Sequence, residues 1–194
     1  MPRKKIVLAS SSPFRAELLN RLNLPFEQDS PSVDESPEIN ELPRDLVLRL
    51  ALLKAKSLSA KYPDSLIIGS DQVAVLDKQI LGKPGDYATA VKQLRNASGR
   101  TVEFLTSICL YNSQSASYQI DVVPYNVHFR DLTDAQIENY LKAEQPYNCA
   151  GSFKSEGLGV ALFASQQGND PTALIGLPLI KLVSMLANEG YEIL

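Results

Sequence analysis

The stretch KIVLASSSPFRAELLNRL, Lys5 to Leu22, decides the reading of the fold. Lys5 and the four apolar residues after it are too few for a buried helix and read as a short, fully buried strand. Ser12 is a good helix N-cap and Pro13 suits the first helical position, so a helix is predicted from Pro13 to about Leu22. A buried strand leading through a polar turn into a helix points to an α/β architecture. The turn also raises a question. Arg15 lies in the first turn of that helix, where unpaired N–H groups and the helix dipole favour anions and disfavour cations. A cation there makes best sense with something anionic held between it and the helix end. Strand, serine-rich turn and helix N-terminus together collect phosphate, through backbone N–H groups and hydroxyls such as that of Ser10. The alternative is a solvent-exposed arginine beside a well-capped helix, since the turn lacks the glycine pattern of a P-loop.

Downstream, EQDSPSVDESPEINELP reads as an acidic, proline-punctuated loop ending at Pro43. A helix follows from Arg44 to about Ala60, apolar on nearly every side and therefore expected to be largely buried. SLIIGSDQVAVLD is β-rich with a polar interruption at Ser70, Asp71 and Gln72. ILGKPGD reads as a loop, followed by a helix from about Tyr87 to Ala97 that stops at Gly99. Strands Thr101–Tyr111 and Tyr118–Phe129 flank a hairpin turn, NSQSAS. Thr133 and Gln136 form a capping box opening a helix to about Glu144. CAGSFKSEGLG reads as a glycine-punctuated loop, Val160–Ala164 as a strand, and Pro178 to Asn188 as a last amphipathic helix. Helices alternate with strands early and a hairpin sits in the middle, so the sheet is expected to be mixed.

The chain of 194 residues is 44% apolar and 21% charged, ordinary values that allow one domain, or two closely joined lobes, with a sizeable core. A net charge of −3 leaves no polyelectrolyte footprint for nucleic acid. Cys109 and Cys149 are too few for a disulfide scaffold and lack metal-like neighbours. The basic start MPRKK leads into an apolar run too short for a signal peptide, and no segment approaches the roughly 18 apolar residues that span a bilayer. The expectation is a reduced, cytoplasmic, soluble protein that engages neither membrane nor nucleic acid.

Several residues are chemically out of place. Lys54 shares its helix face with Val47, Leu50, Ala51 and Leu58, so it either snorkels to water or reaches toward an anion. Asp71 interrupts a buried strand, where a carboxylate is costly unless hydrogen-bonded, paired or metal-bound. It marks a site or caps a turn. Lys83, in GKP, follows on a loop where most lysines are simply solvated. Glu35, in VDES, lies in an acidic loop of the kind that aids solubility. With Asp71 it could supply a hard oxygen site for magnesium, which takes one or two carboxylates plus substrate phosphates. His128 is the sole histidine and reads as structural, which argues against a histidine-rich zinc site or a histidine-based hydrolase. Arg15, Lys54, Lys83, Glu35 and Asp71 together suggest a polyphosphate ligand with a divalent metal.

In this order ASSSPFRAELL, VDES, LKAKSLS, IIGSDQVAVLD, GKP and CAGSFKSEGLG resemble the Maf family of nucleotide pyrophosphatases, from Ile6 to about Leu186. Gln72 after the aspartate and Glu156 in FKSEG are similar to its 7-methyl-GTP pyrophosphatase branch. The resemblance implies a single domain over residues 1–194, with a mixed twisted sheet flanked by helices and two lobes around a cleft, like the inosine triphosphatases. It implies hydrolysis of a nucleoside triphosphate to the monophosphate and pyrophosphate, a divalent cation (magnesium or manganese), and often a homodimer. By the same resemblance Asp71 is catalytic and, with Glu35, metal-binding; Ser10, Arg15, Lys54 and Lys83 hold phosphate; and Phe14, Gln72 and Glu156 discriminate the base. Relatives are expected to carry tryptophan where this chain has Phe14. A cationic 7-methylguanine ring suits an aromatic face and a carboxylate. The alternatives are core packing for Phe14 and a solvated loop carboxylate for Glu156. Other readings keep the reaction with dTTP, UTP or another modified nucleotide, or make the chain a nucleotide-binding regulator of cell division with little turnover.

Overall fold

A computed structural model describes residues 4–194, so Met1, Pro2 and Arg3, which open the basic run read against a signal peptide, lie outside it. Its strands are β1 (Lys5–Ala9), β2 (Phe26–Asp29), β3 (Ser65–Leu76), β4 (Gln79–Leu81), β5 (Thr101–Asn112), β6 (Ser117–Phe129) and β7 (Phe163–Gly168). Its α-helices are α1 (Pro13–Asn20), α2 (Pro43–Ser57), α3 (Tyr87–Ala97), α4 (Asp134–Glu144), α5 (Pro171–Ile175) and α6 (Leu179–Asn188). The strands form one seven-stranded sheet in the order β2-β1-β3-β5-β6-β7, with β4 on β3. β1 pairs parallel with β2 and β3, whereas β3–β4 and β6–β7 are antiparallel. The sheet is therefore mixed, as expected from the order of elements.

The chain divides into two compact units. The first comprises the chain up to Asp71, Thr106–Val123 and Asp170–Leu194; the second comprises Gln72–Leu105 and Pro124–Asn169. In the first unit, strand alternation sorts the core by residue parity. Ile6 and Leu8 of β1, Leu66 and Ile68 of β3, and Ile108 and Leu110 of β5 pack with Leu18 and Leu19 of α1 and Leu182 and Leu186 of α6. Val7, Ala9, Ile67, Cys109 and Tyr111 face the other way, onto Ala51 and Ala55 of α2. In the second unit, Phe153 sits edge-on to Phe104, Phe129 and Phe163, with ring centroids 4.9–5.5 Å apart. That spacing and tilt suit aromatic quadrupoles.

The starts of the helices follow their local signals. Ser12 Oγ accepts from the Arg15 amide with Pro13 next in line, Asp86 caps α3, and Thr133 with Gln136 closes a full capping box on α4. Several elements correct the sequence reading. The acidic loop begins with β2, which has no buried residue and is held by backbone pairing to β1 rather than by an apolar stripe. The ILGKPGD loop begins with part of β4, the return arm of a hairpin on β3. The expected strand Val160–Ala164 is displaced: Leu158–Leu162 forms a 3-10 turn, and β7 starts at Phe163. Val160 is exposed and so lacks the burial that would favour a strand. The short helix α5, capped by Asp170, was not anticipated. α2 buries one face rather than all sides, leaving Leu53 exposed.

Candidate active site

β3 runs unbroken through Ser70, Asp71 and Gln72, so the polar interruption is a row of polar residues on a buried strand. Ser70 is fully buried, and its hydroxyl lies 2.7 and 2.9 Å from the carbonyls of Ser107 and Gly176. Ser107, also fully buried, accepts from the Asp71 amide at 3.1 Å and donates to the Val47 carbonyl of α2 at 2.6 Å. One hydroxyl therefore ties the strand that carries Asp71 to the helix that carries Lys54. Gly69 completes the approach. A Cβ there would stand 2.1 Å from the Ala51 carbonyl oxygen, so only a glycine lets α2 lie this close to β3.

The consequence is a buried ion cluster. Lys54 Nζ, on a side chain only 7% exposed, sits 2.6 Å from Asp71 Oδ1 and 2.8 Å from Glu35 Oε1. Lys54 therefore does not snorkel; it pairs with two carboxylates. Asp71 is itself buried, whereas Glu35 keeps more than half of its side chain in water. Glu35 reaches in from a loop that α2 holds in place. Arg49 grips Glu41 with two hydrogen bonds of 2.6 and 2.7 Å and donates to the carbonyl of Ser36, next to Glu35.

Arg15 joins the cluster from α1. Its Nε donates to the Gly176 carbonyl at 2.8 Å, and its Nη1 lies 3.4 Å from Ser10 Oγ. Burial lowers the arginine's affinity for its proton, and the carboxylates of Asp71 and Glu35 oppose that drop. The anions that justify an arginine in a helix's first turn are thus partly internal: two carboxylates and a carbonyl at the C-terminal end of α5. Ser10 is buried at the end of β1 and accepts from the Ser12 amide. Gln28 of β2 braces the serine turn by donating to the carbonyl of Ser10 at 2.8 Å. Phe14, beside Arg15 on α1, is half-buried.

Five of the sequence-marked residues, Ser10, Arg15, Glu35, Lys54 and Asp71, are thus brought together in the first unit. Gln72, Lys83 and Glu156 belong to the second. There Lys83 is exposed on the GKPG loop, whose Gly85 amide donates to the Tyr147 carbonyl. Glu156 is exposed, accepts from Ser155 Oγ at 3.1 Å, and helps burial raise the Cys149 thiol above its ordinary value, against Lys154 and Lys83. His128, also in the second unit, is exposed with Nδ1 3.1 Å from Thr101 Oγ1. Sequence reading passed over Ser107, Gly69 and Gln28. Thr106 and Ser107, polar within the apolar run FLTSICL, carry the same signal that singled out Asp71.

Two positive and two negative side chains balance in the first unit's cluster. A polyphosphate adds several negative charges to that balance, which a divalent cation would offset. Among the described residues no group of three or more His, Cys, Asp and Glu side chains could hold a metal. Two carboxylates suit magnesium or manganese completed by phosphate and water oxygens, and they do not suit a zinc cage built from protein alone.

Comparison with known proteins gives the chain's family. Residues 5–189 match the family described as Maf-like protein. The chain is 58% identical to the 7-methyl-GTP pyrophosphatase of Pseudomonas savastanoi pv. phaseolicola, over 97% of this chain and 98% of that protein. It is 56% identical to the protein of that name from Pseudomonas aeruginosa, over 97% and 98%. The protein of that name from Colwellia psychrerythraea is 53% identical, over 98% and 96%. Among solved structures, the Ham1 protein of Staphylococcus aureus superposes with a TM-score of 0.53 at 12% identity, covering 96% of this chain and all of that one, which is a likeness of fold. The match along nearly the whole length means that the chain belongs to the Maf-like protein family.

Proposed function

We propose that this protein is a nucleoside triphosphate pyrophosphatase that hydrolyses 7-methyl-GTP to 7-methyl-GMP and pyrophosphate. The observation that carries the reaction is the buried contact of Lys54 with Asp71 and Glu35, with Arg15 in their field. The near-full-length likeness to proteins named 7-methyl-GTP pyrophosphatase supports the choice of base.

Ser10, Arg15, Lys54 and Lys83 bind the triphosphate, and Glu35 and Asp71 hold a magnesium or manganese ion. Such an ion, when bound, polarises the phosphoryl oxygens and offsets charge on the leaving group. Lys54 donates to Asp71 Oδ1, which orients that carboxylate. Asp71 then orients or deprotonates the water that attacks the α-phosphorus. The bond from the α-phosphorus to the bridging oxygen breaks, and pyrophosphate leaves with its charge stabilised by Arg15 and the lysines. Phe14 stacks on the cationic base, Glu156 accepts from the N–H groups of its edge, and Gln72 helps to discriminate it. The protein works in the reduced cytoplasm and as a homodimer. The test incubates the protein with 7-methyl-GTP, GTP, dTTP and UTP, with magnesium, manganese or chelator, and identifies products. A cation-dependent preference for 7-methyl-GTP with release of pyrophosphate is expected. Release of inorganic phosphate, or an equal rate on all four nucleotides, contradicts the reaction or the base assignment respectively.

A further inference from the structure

Glu156 is an exposed carboxylate on a turn between Gly157 and the aromatic cluster, and such a group selects a base only if the backbone beneath it is held. Two residues of α4 do the holding. Tyr140 is buried, and its hydroxyl accepts from the Lys154 amide at 3.0 Å. Burial raises the phenol's affinity for its proton, so it stays a neutral hydroxyl at neutral pH. Glu144, one helical turn further along the same face, accepts from the Leu158 amide at 3.0 Å through Oε1. Its Oε2 stands 3.7 Å from Lys154 Nζ. The two contacts bracket Glu156, gripping the turn two residues before it and two residues after. Gly157 makes room for the second grip, because a Cβ there would lie 2.9 Å from Glu144 Oε1. The turn also closes on itself at Gly159, where a Cβ would meet the Lys154 carbonyl oxygen at 2.1 Å.

We propose that Tyr140 and Glu144 form a clamp on the Lys154–Leu158 turn and act as positioning residues for base selection through Glu156. This rests on the reading of Glu156 given under Proposed function. The helix is a firm base for such a clamp. Its capping box fixes one end, and Ile137 and Leu141 are buried on its inner face. Neither Tyr140 nor Glu144 needs to touch nucleotide; each sets where the Glu156 carboxylate is presented. A small displacement of a recognising group is enough to cost an order of magnitude or more in rate.

The test uses the full chain with Glu144→Ala, Glu144→Gln, Tyr140→Phe and Glu156→Ala, and reads two quantities. The first is amide exchange in residues 154–158 without nucleotide, which reports local opening. Glu144→Ala should speed it about tenfold, and Glu144→Gln, which keeps an acceptor for the Leu158 amide, should remain close to the parent. The second is the ratio of kcat/KM for 7-methyl-GTP to that for dTTP. It should fall about five- to tenfold in Glu144→Ala and Tyr140→Phe, mainly through KM for 7-methyl-GTP, and be restored in Glu144→Gln. Combining Glu144→Ala with Glu156→Ala should give no further loss of the ratio, as for two residues acting as one unit. Unchanged exchange in Glu144→Ala overturns the clamp. Faster exchange with equal losses on both nucleotides overturns its part in selection and leaves a purely structural contact. If Glu156→Ala itself leaves the ratio unaltered, the base assignment fails instead, and exchange alone decides whether the clamp exists.

Discussion

Asp71 and Lys54 are a buried acid and a buried base in contact, and replacing each has a different consequence. Asp71→Asn keeps the shape and most of the hydrogen bonds while removing the charge and the basicity. Turnover should fall by roughly 10²–10⁴, the usual scale for a general base. Single-turnover hydrolysis on a folded variant checks this, and near-normal turnover would remove Asp71 from the chemistry. For Lys54→Met the helical context alone suggests a neutral or slightly stabilising change, because a charge leaves an apolar stripe. The pairing with Asp71 and Glu35 reverses that sign. Removing one partner of a buried pair costs about 3–5 kcal/mol, and the loss here should lie toward the lower end. Glu35 is largely hydrated, and Arg15 remains within the field of both carboxylates. A denaturant titration showing reduced stability, together with weakened hydrolysis of every triphosphate whatever its base, is the expected result. Unchanged stability would mean that the carboxylates do not need the lysine.

Two elements set the geometry of that pair. α2 touches β3 at Gly69, so Gly69→Ala must push the helix back against the Ala51 carbonyl. Overpacking of this kind costs about 1–3 kcal/mol. Because the displaced helix carries Lys54, activity should fall more than the loss of stability explains at assay temperature. Comparing kcat/KM with the folded fraction separates the two effects. The loop carrying Glu35 depends on Arg49, whose two-pronged hydrogen bond holds the Glu41 carboxyl down at about 2, against an ordinary value of 4.5. A carboxylate whose pKa is lower in the folded state adds stability that is complete above its unfolded value and disappears as pH falls through its folded one. The loop's anchorage should therefore weaken between about pH 4.5 and pH 2. Arg49→Lys keeps the charge but loses the fork, and should flatten that part of an acid titration followed by exchange at Ser36. An unchanged acid profile would show that the fork does not anchor the loop.

Across the whole molecule, β3, β5 and β6 each contribute residues to both compact units, and each unit contains one cysteine. Cys109 is fully buried in the first, and burial pushes its thiol up to about 12. Cys149 is half-buried in the second. At pH 8 only about one Cys109 in ten thousand carries the reactive thiolate even before access is considered. Native protein should thus be alkylated at Cys149 first, with Cys109 reacting only on unfolding. Since unfolding either unit breaks the ladder of the shared strands, both sites should become fully reactive over one denaturant range. Mass spectrometry of alkylated protein checks this, and two separate ranges would show that the units unfold independently. What the sequence by itself determined was whatever rests on local periodicity and capping. β1, the start of α1, α3 and α4 follow from short windows, and the isolated polar residues Lys54 and Asp71 announced themselves against apolar neighbours. β2 and β4 were hidden, and the start of β7 was misplaced, because backbone pairing rather than an apolar stripe holds them, and pairing leaves little trace in side-chain pattern. The partner of each charge was likewise decided only by tertiary structure. A sequence shows that a buried lysine must find an anion, but only the packing of α2 on Gly69, with Ser107 tying it to β3, makes that anion Asp71.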